Sequence, residues 1–397
     1  MFYLKMLREN EEMMDGNTGF DADQIHNSDD GYAVQLNDIA KDVEEINAEY
    51  ADESSDKELE GQDITSNPVE EMAIAIYESE CNWNLIMKAI GTREIMEAAR
   101  GREMVMESVD IKGFFNKVKQ FFLKLWAKIT AVVKQWFNNA KAMIQTNKNF
   151  VKKYGNKLAD GQAAYEKDVK SKEFKGYNFK KANRLDSVTL IKAVTEANKT
   201  FVTNTNAAIN DKNFEVPSRD SADKFRGDLV GKDSCDASDF SDSLKEYFFG
   251  SKEKETLSKD SVAADYIKKT LAATDEKVKD IRKAYDNLKK SFDNTLKCLR
   301  KLETAVEKSE KDGERSEATT TKLSTITKLI EDEKQKKNAA STSLSYLLRA
   351  IKMEKAQARK IGNAYILALN KSGREKAFEK ADAKYESAGF LSQVEMI

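Results

Sequence analysis

The chain has 397 residues, with 66 Lys+Arg against 68 Asp+Glu, a single histidine, three cysteines and two prolines. One histidine, His26, excludes a multi-histidine metal centre and leaves histidine acid–base chemistry without a partner. Cys81, Cys235 and Cys298 form no CxxC or zinc spacing and are too sparse for a disulfide scaffold, so a reducing compartment is the expectation. No apolar run reaches the roughly 18 residues of a membrane-spanning helix.

The near-neutral total conceals a split. Residues 1–110 carry 28 acids and 8 basic residues, a net of −20, and residues 111–397 carry a net of +18. Like-signed blocks repel themselves and attract the opposite sign. Two readings stand: a solvated acidic tail ahead of a basic body, or an acidic segment that masks the body until it is removed or displaced. The switch falls at Asp110. From Ile111 to Ala159 there are 11 lysines and no acid.

Residues 1–66 are polar and acidic, and runs such as Asp52-Glu53-Ser54-Ser55-Asp56 hold too little apolar surface to order themselves. Within them Ile39, Val43 and Ile46 recur at helical spacing, which predicts a short helix over Leu36–Tyr50. Met1–Asn10 shows no basic stretch followed by an apolar core, so no secretory signal is expected. Ser66-Asn67-Pro68, with Glu70 and Glu71 behind it, is a helix start. The helix is predicted to reach Glu80, break over Cys81–Asn84, and resume over Leu85–Ala99 with an interruption at Gly91.

Ile111–Ile144 is strongly periodic. Its apolar residues include Phe114, Phe115, Val118, Phe121, Phe122, Leu125, Ile129, Val132, Val133, Trp136, Phe137, Ala140 and Ile144, with Leu123 and Trp126 widening the stripe. Spacings of 3 and 4 place them on one face of a helix about 50 Å long, at ~1.5 Å per residue. Lysines fill the other side. The stripe is either a core face or a surface-seeking one, since a cationic amphipathic helix bordered by Trp and Phe also binds anionic bilayers. Lys112, Lys117, Lys119, Lys124, Lys128, Lys134, Lys141, Lys152 and Lys153 are the candidate contacts to phosphate or to an anionic surface. The aromatics sit on the apolar stripe rather than among the lysines, which weakens base stacking.

Beyond it, 147–185 reads as a basic helix and then a turn at Gly176-Tyr177-Asn178. Asp186-Ser187 caps a helix over Ser187–Asn210. Residues 211–238 read as an irregular stretch, either a surface loop or a small subdomain, without a phosphate-cradling glycine motif. A short helix over 239–249 ends at Gly250.

The C-terminal part holds two apolar series. Val278, Ile281, Tyr285, Leu288, Phe292, Thr295, Leu299, Leu302 and Val306 alternate 3 and 4 over about four heptads. After Asp312-Gly313 come Leu323, Ile326, Ile330, polar Glu333 and Lys337, then Ala340, Leu344, Leu347, Ile351, Glu354, Ala358, Ile361 and Tyr365. The short break predicts an antiparallel, coiled-coil-like hairpin. The 333/337 layer reads as a register device or an exposed stretch. A separate last helix, Arg374–Ser387, and an apolar tail, Phe390–Ile397, complete the chain. The fold class expected is all-α, divided as an acidic, largely disordered 1–66; short helices over 67–107; a basic helical domain 108–250; the hairpin 251–373; and 374–397.

No catalytic constellation is legible. Cys81 and Cys298 read as buried apolar residues rather than nucleophiles, and no carboxylate pair stands in a defined apolar context. The expectation is a non-enzymatic chain with no cofactor and no metal.

Two short motifs flank the charge switch: Ile95-Met96-Glu97 before Ala98, and Val105-Met106-Glu107 before Ser108. Apolar–x–Glu before a small residue resembles the sites cut by the maturation proteases of large tailed phages. Leu329-Ile330-Glu331 also matches, but only the first two lie where a cut removes nearly the whole acidic block. Ser108–Phe137 resembles the starts of internal virion proteins of such phages, over about 30 residues, and the rest is similar in layout. The resemblance implies a protein made in the host cytoplasm, packaged in the head interior in many copies with the genome, and trimmed by the phage protease at Glu97/Ala98 or Glu107/Ser108. Its partners would be other virion proteins or further copies of itself, and DNA, whose phosphate the lysines neutralise. Three rival readings remain: a protein bound to anionic membrane through 111–144, a coiled-coil scaffold or adaptor, and an enzyme whose catalytic motif is not legible.

Overall fold

A computed structural model describes residues 67–99, 111–168, 173–183, 185–210, 218, 220–311 and 317–387. All of them belong to one compact unit, Ser54–Ile397. The helix expected over Leu36–Tyr50, the acidic 1–66 stretch, Glu107, Ser108 and the tail from Phe390 lie outside the described residues.

Ten helices are described. The first is α1, Pro68–Ala99. The cap is Asn67: its Oδ1 accepts the Val69 N–H at 3.2 Å, and its carbonyl accepts the Glu71 N–H. Pro68 takes the first helical position, where no N–H is needed. The break expected at Cys81–Asn84 is absent and α1 runs unbroken for 32 residues. Local propensity disfavours Asn and Cys by only a few tenths of a kcal/mol each. Burial of Trp83, 5.2 Å from the Phe121 ring, outweighs that.

Helix α2, Ile111–Tyr154, continues past the expected end at Ile144. Asn147 and Phe150 extend its buried face. Helix α3, Leu158–Asp168, follows after a turn. It lies so close to the last helix that a Cβ on Gly161 would stand 2.7 Å from the Tyr365 carbonyl oxygen. Around the expected Gly176 turn, β1 (Lys175–Gly176) pairs antiparallel with β2 (Glu255–Thr256). The Gln357 side chain clamps both backbone groups of Tyr177.

Helix α4, Val188–Asn210, starts where expected, with Asp186 Oδ1 accepting the Val188 N–H at 3.0 Å. The 211–238 region is not wholly irregular. Helix α5, Ser221–Val230, lies within it and buries Ala222, Phe225 and Leu229. Two polar turns are too short for the 3–4 spacing to stand out from background. Gly231, at φ 70°, ends α5, and Gly250, at φ 71°, ends α6, Ala237–Phe249. That left-handed geometry costs glycine nothing.

Helices α7 (Lys259–Val262) and α8 (Ala264–Ala272) lead into α9, Thr274–Lys311. The last, α10, runs from Glu317 to Ser387. No boundary separates Arg374–Ser387; it continues α10.

Helix α10 is the axis of the bundle: it packs on the other long helices, and its Tyr365 hydroxyl donates to the Val262 carbonyl of α7 at 2.6 Å. Helices α9 and α10 run in opposite directions where they meet, since Thr295 bonds Glu333 and Ser291 bonds Lys337. Yet α9 packs more extensively on α2 and α4 than on α10. The 108–250 and 251–373 segments therefore share one core rather than forming separate domains. Val278, Ile281, Tyr285, Leu288, Phe292, Leu299, Leu302 and Val306 are all buried, as are Ile326, Ile330, Leu344, Leu347 and Ile351; Leu323 is half-buried. Their periodicity serves a multi-helix core. Trp126 anchors it, stacked 5.0 Å from Tyr285 and 5.1 Å from Phe292. A second cluster joins Phe150, Leu158, Ile267, Leu271, Ile361 and Tyr365. Among the described residues no helix is long and apolar enough to cross a membrane.

Candidate functional site

Helix α2 turns two chemically distinct faces in two directions. Every apolar position from Phe114 to Ile144 in the stripe is buried; Phe115, Val118, Phe122, Leu125, Ile129 and Val133 have no accessible surface. The stripe is a core face. Binding a bilayer with it requires drawing α2 out of the bundle.

The opposite face carries the lysines. Lys117, Lys124, Lys152 and Lys153 are exposed, and Lys128, Lys134 and Lys141 are half-exposed. Lys112 reaches Glu307 at 3.6 Å, Lys148 reaches Asp275 at 3.0 Å, and Lys128 pairs with Glu78. Lys117, Lys124 and Lys152 have no ion-pair partner among the described residues. Lys119 leaves the candidate row. It points at α9, is buried, and pairs with Glu303 at 2.8 Å, so no phosphate reaches it.

Of the processing motifs, Glu97-Ala98 lies in the last turn of α1. Glu107-Ser108 lies outside the described residues. The third match, at Glu331, sits mid-helix behind buried Leu329 and Ile330, where a protease cannot thread the chain.

The open question about Glu333 and Lys337 has a definite answer: the layer is buried. Lys337 Nζ stands 2.6 Å from Glu333 Oε1, with their side chains 5% and 2% exposed. Thr295 donates to Glu333 at 2.8 Å, Lys337 donates to the Ser291 hydroxyl, and the Phe292 ring lies 5.4 Å from the ammonium. Two neighbouring lysines reach other helices. Lys334 pairs with Glu80 of α1 at 2.6 Å and lies 5.1 Å from the Trp83 ring; Lys336 donates to Ser221 of α5 at 2.7 Å. Asn338 also donates to Glu80. Buried charges persist only when paired and hydrogen-bonded. This layer meets that demand while fixing three helices against α10. Glu80 is separated from Lys334 by 254 positions, so nothing local in the sequence announces the pair.

Lower in the bundle Lys355 is buried, donating to the Thr270 carbonyl at 2.7 Å and to Glu354 at 3.0 Å. Burial pushes its ammonium below the usual lysine range. Beside it, burial and then the Glu354 charge push the Tyr266 phenol up to about 12. A phenol held neutral in the fold but free to ionise when unfolded contributes stability fully present below pH ~10 and lost as pH rises through its folded value. The fold is therefore expected to weaken above pH ~10, and Tyr266→Phe to flatten that loss in urea titrations at pH 9–11. An unchanged slope in the variant removes Tyr266 from the account.

Cys81, expected to be buried, is exposed on the solvent side of α1, while Cys298 is buried as expected and Cys235 is buried too. Burial raises the Cys298 thiol, which keeps it protonated and unreactive. Among the described residues no three His, Cys, Asp or Glu side chains gather as metal ligands. Comparisons with protein-family models, curated proteins and solved structures find no match for this chain.

Proposed function

We propose that the chain is a non-enzymatic structural protein, internal to the head of a large tailed phage or its precursor, whose lysine face neutralises the phosphates of packaged nucleic acid. One observation carries the reading. Helix α2 holds its full apolar stripe in the core while keeping Lys117, Lys124, Lys152 and Lys153 in solvent, in a stretch of 11 lysines with no acid. A polycation of this kind binds phosphate by counterion release without reading sequence. The acidic N-terminal block is a propeptide that keeps the face from nucleic acid before assembly.

Processing has a structural consequence. A cut after Glu97 or Glu107 severs the covalent link between α1 and α2 but none of α1's packing. Buried Met72, Ala75 and Trp83 hold α1 in place, as does the Glu80–Lys334 pair. The mature protein therefore keeps α1 as a docked fragment, or loses it and uncovers Lys334 and Phe121.

Intact-mass analysis and N-terminal sequencing of the protein recovered from its native source test the reading. Chains beginning at Ala98 or Ser108 are expected, and the masses also report whether the severed fragment stays. Chains still starting at Met1 in finished particles sink the propeptide.

Self-association as a scaffold is favoured by Ile74, Tyr77 and Leu85, which stay 42%, 48% and 49% exposed along α1. This reading predicts a salt-resistant oligomer that binds no nucleic acid.

A further inference from the structure

Helix α9 carries a lysine row of its own. Lys279, Lys283, Lys290, Lys297, Lys301 and Lys308 are all exposed. They are the only charged residues in the fully exposed line of α9 from 277 to 308. The acids of that stretch lie off the line. Asp280, Asp286, Asp293, Glu303 and Glu307 are half-buried, and Glu303 and Glu307 are paired to lysines of α2. From 277 to 308 the helix holds ten basic residues and five acids, and its exposed line is one-signed.

The two lysine rows are neighbours. Lys112 meets Glu307, Lys119 meets Glu303, Thr130 meets Tyr285 and Lys148 meets Asp275, so α2 and α9 lie side by side and antiparallel. That register sets Lys117 between the levels of Lys301 and Lys308, and Lys124 near the level of Lys297. Packed helices stand about 8–10 Å apart. From Lys279 to Lys308 the row spans about 44 Å, at ~1.5 Å per residue. Two like-charged rows held this close repel each other, and the Lys283–Asp280 pair at 3.4 Å and exposed Glu276 near the start of α9 offset only part of that.

We propose that α2 and α9 together form a two-row cradle for the phosphate backbone of duplex nucleic acid; this rests on the polyanion reading above and extends its site to α9. The partner is a duplex, bound through its backbone. The large apolar side chains left exposed among the described residues are Ile74, Tyr77, Leu85, Val188 and Leu367, none of them on α2 or α9. The face thus lacks the aromatic platform on which single-stranded bases stack. A phosphate lattice about 20 Å across meets both rows at once, at one charge per ~1.7 Å of duplex axis.

The test uses the whole chain with every Asp and Glu from 9 to 63 replaced by Asn or Gln, so that the acidic block does not compete. The probe is a fluorescent random-sequence 30-bp duplex, titrated between 50 and 200 mM salt. Each lost phosphate contact lowers the slope of log K against log salt by about 0.9. Lys283→Gln, Lys290→Gln, Lys297→Gln and Lys301→Gln together are expected to reduce the slope by about 3 to 4. Lys117→Gln, Lys124→Gln and Lys152→Gln together reduce it by about 2 to 3. Lys192→Gln with Lys199→Gln, exposed on α4, leaves it unchanged. Circular dichroism and melting verify that each variant keeps the fold. A wild-type slope in the α9 variant beside a reduced one in the α2 variant overturns the two-row cradle and leaves the polyanion reading standing. No duplex binding at 50 mM salt overturns both. Tighter binding of a 30-nucleotide single strand than of the duplex overturns the choice of partner.

Discussion

Glu333→Leu is expected to destabilise the fold by about 3–5 kcal/mol in urea unfolding at neutral pH, because it strands the Lys337 ammonium in the core. What remains to that ammonium is the Ser291 hydroxyl and the face of Phe292. Lys337→Met costs a similar amount for the converse reason. It leaves a carboxylate that is 2% exposed with Thr295 as its neighbour. The double variant, Glu333→Leu with Lys337→Met, is expected to recover most of the loss, since replacing a whole buried pair by apolar groups of similar volume is often neutral or favourable. If each single variant costs under about 1 kcal/mol, water reaches the layer and it is no core element. Recovery in the double variant would also separate two roles. If stability returns while the unfolding transition broadens, the pair serves to select one register of α9 on α10.

Periodicity carried the sequence reading wherever an apolar stripe was long. The α2 stripe, the Val278–Val306 series and the cap at Asp186 were legible because a buried face repeated over many turns is hard to write by chance. Three kinds of feature were not. In α1 the few polar residues of Cys81–Asn84 hide the anchoring role of Trp83. The ten residues of α5 give too few turns to establish a period. The third kind concerns charge. Lys119 and Lys124 are the same residue type in the same acid-free stretch, yet one is buried against Glu303 and the other faces solvent. The α9 row was invisible for the complementary reason. Its lysines are interleaved in sequence with acids, and only the packing of α2 and α4 on either side sorts one from the other. Local sequence reports how a segment meets the core. The sign of a surface is decided by which neighbours cover which flank.

That dependence on neighbours also governs the aromatic centre of the bundle. Trp126→Ala is expected to cost about 3–5 kcal/mol, the loss typical of emptying a large buried aromatic site. Its ring is 1% exposed, stacked on Tyr285 and against Phe292, so the cavity opens between α2 and α9. Both neighbouring rings are fixed from elsewhere, which limits collapse. Tyr285 shares a hydrogen bond with Thr130 at 2.9 Å, and Phe292 lies 6.3 Å from Phe122. Trp126→Phe is expected to cost far less. It keeps a ring in the stack and removes an indole N–H that is buried without a hydrogen-bond partner among the described residues. An unmade buried donor itself costs about 1–3 kcal/mol, and its removal offsets part of the lost area. The ratio of the two variants in urea unfolding is thus the informative quantity. A large loss for alanine with a small one for phenylalanine establishes the α2–α9 contact as core packing. Loss in neither variant would place the apolar stripe of α2 outside the folded core, and with it the argument that α2 holds its lysines in solvent by burying everything else.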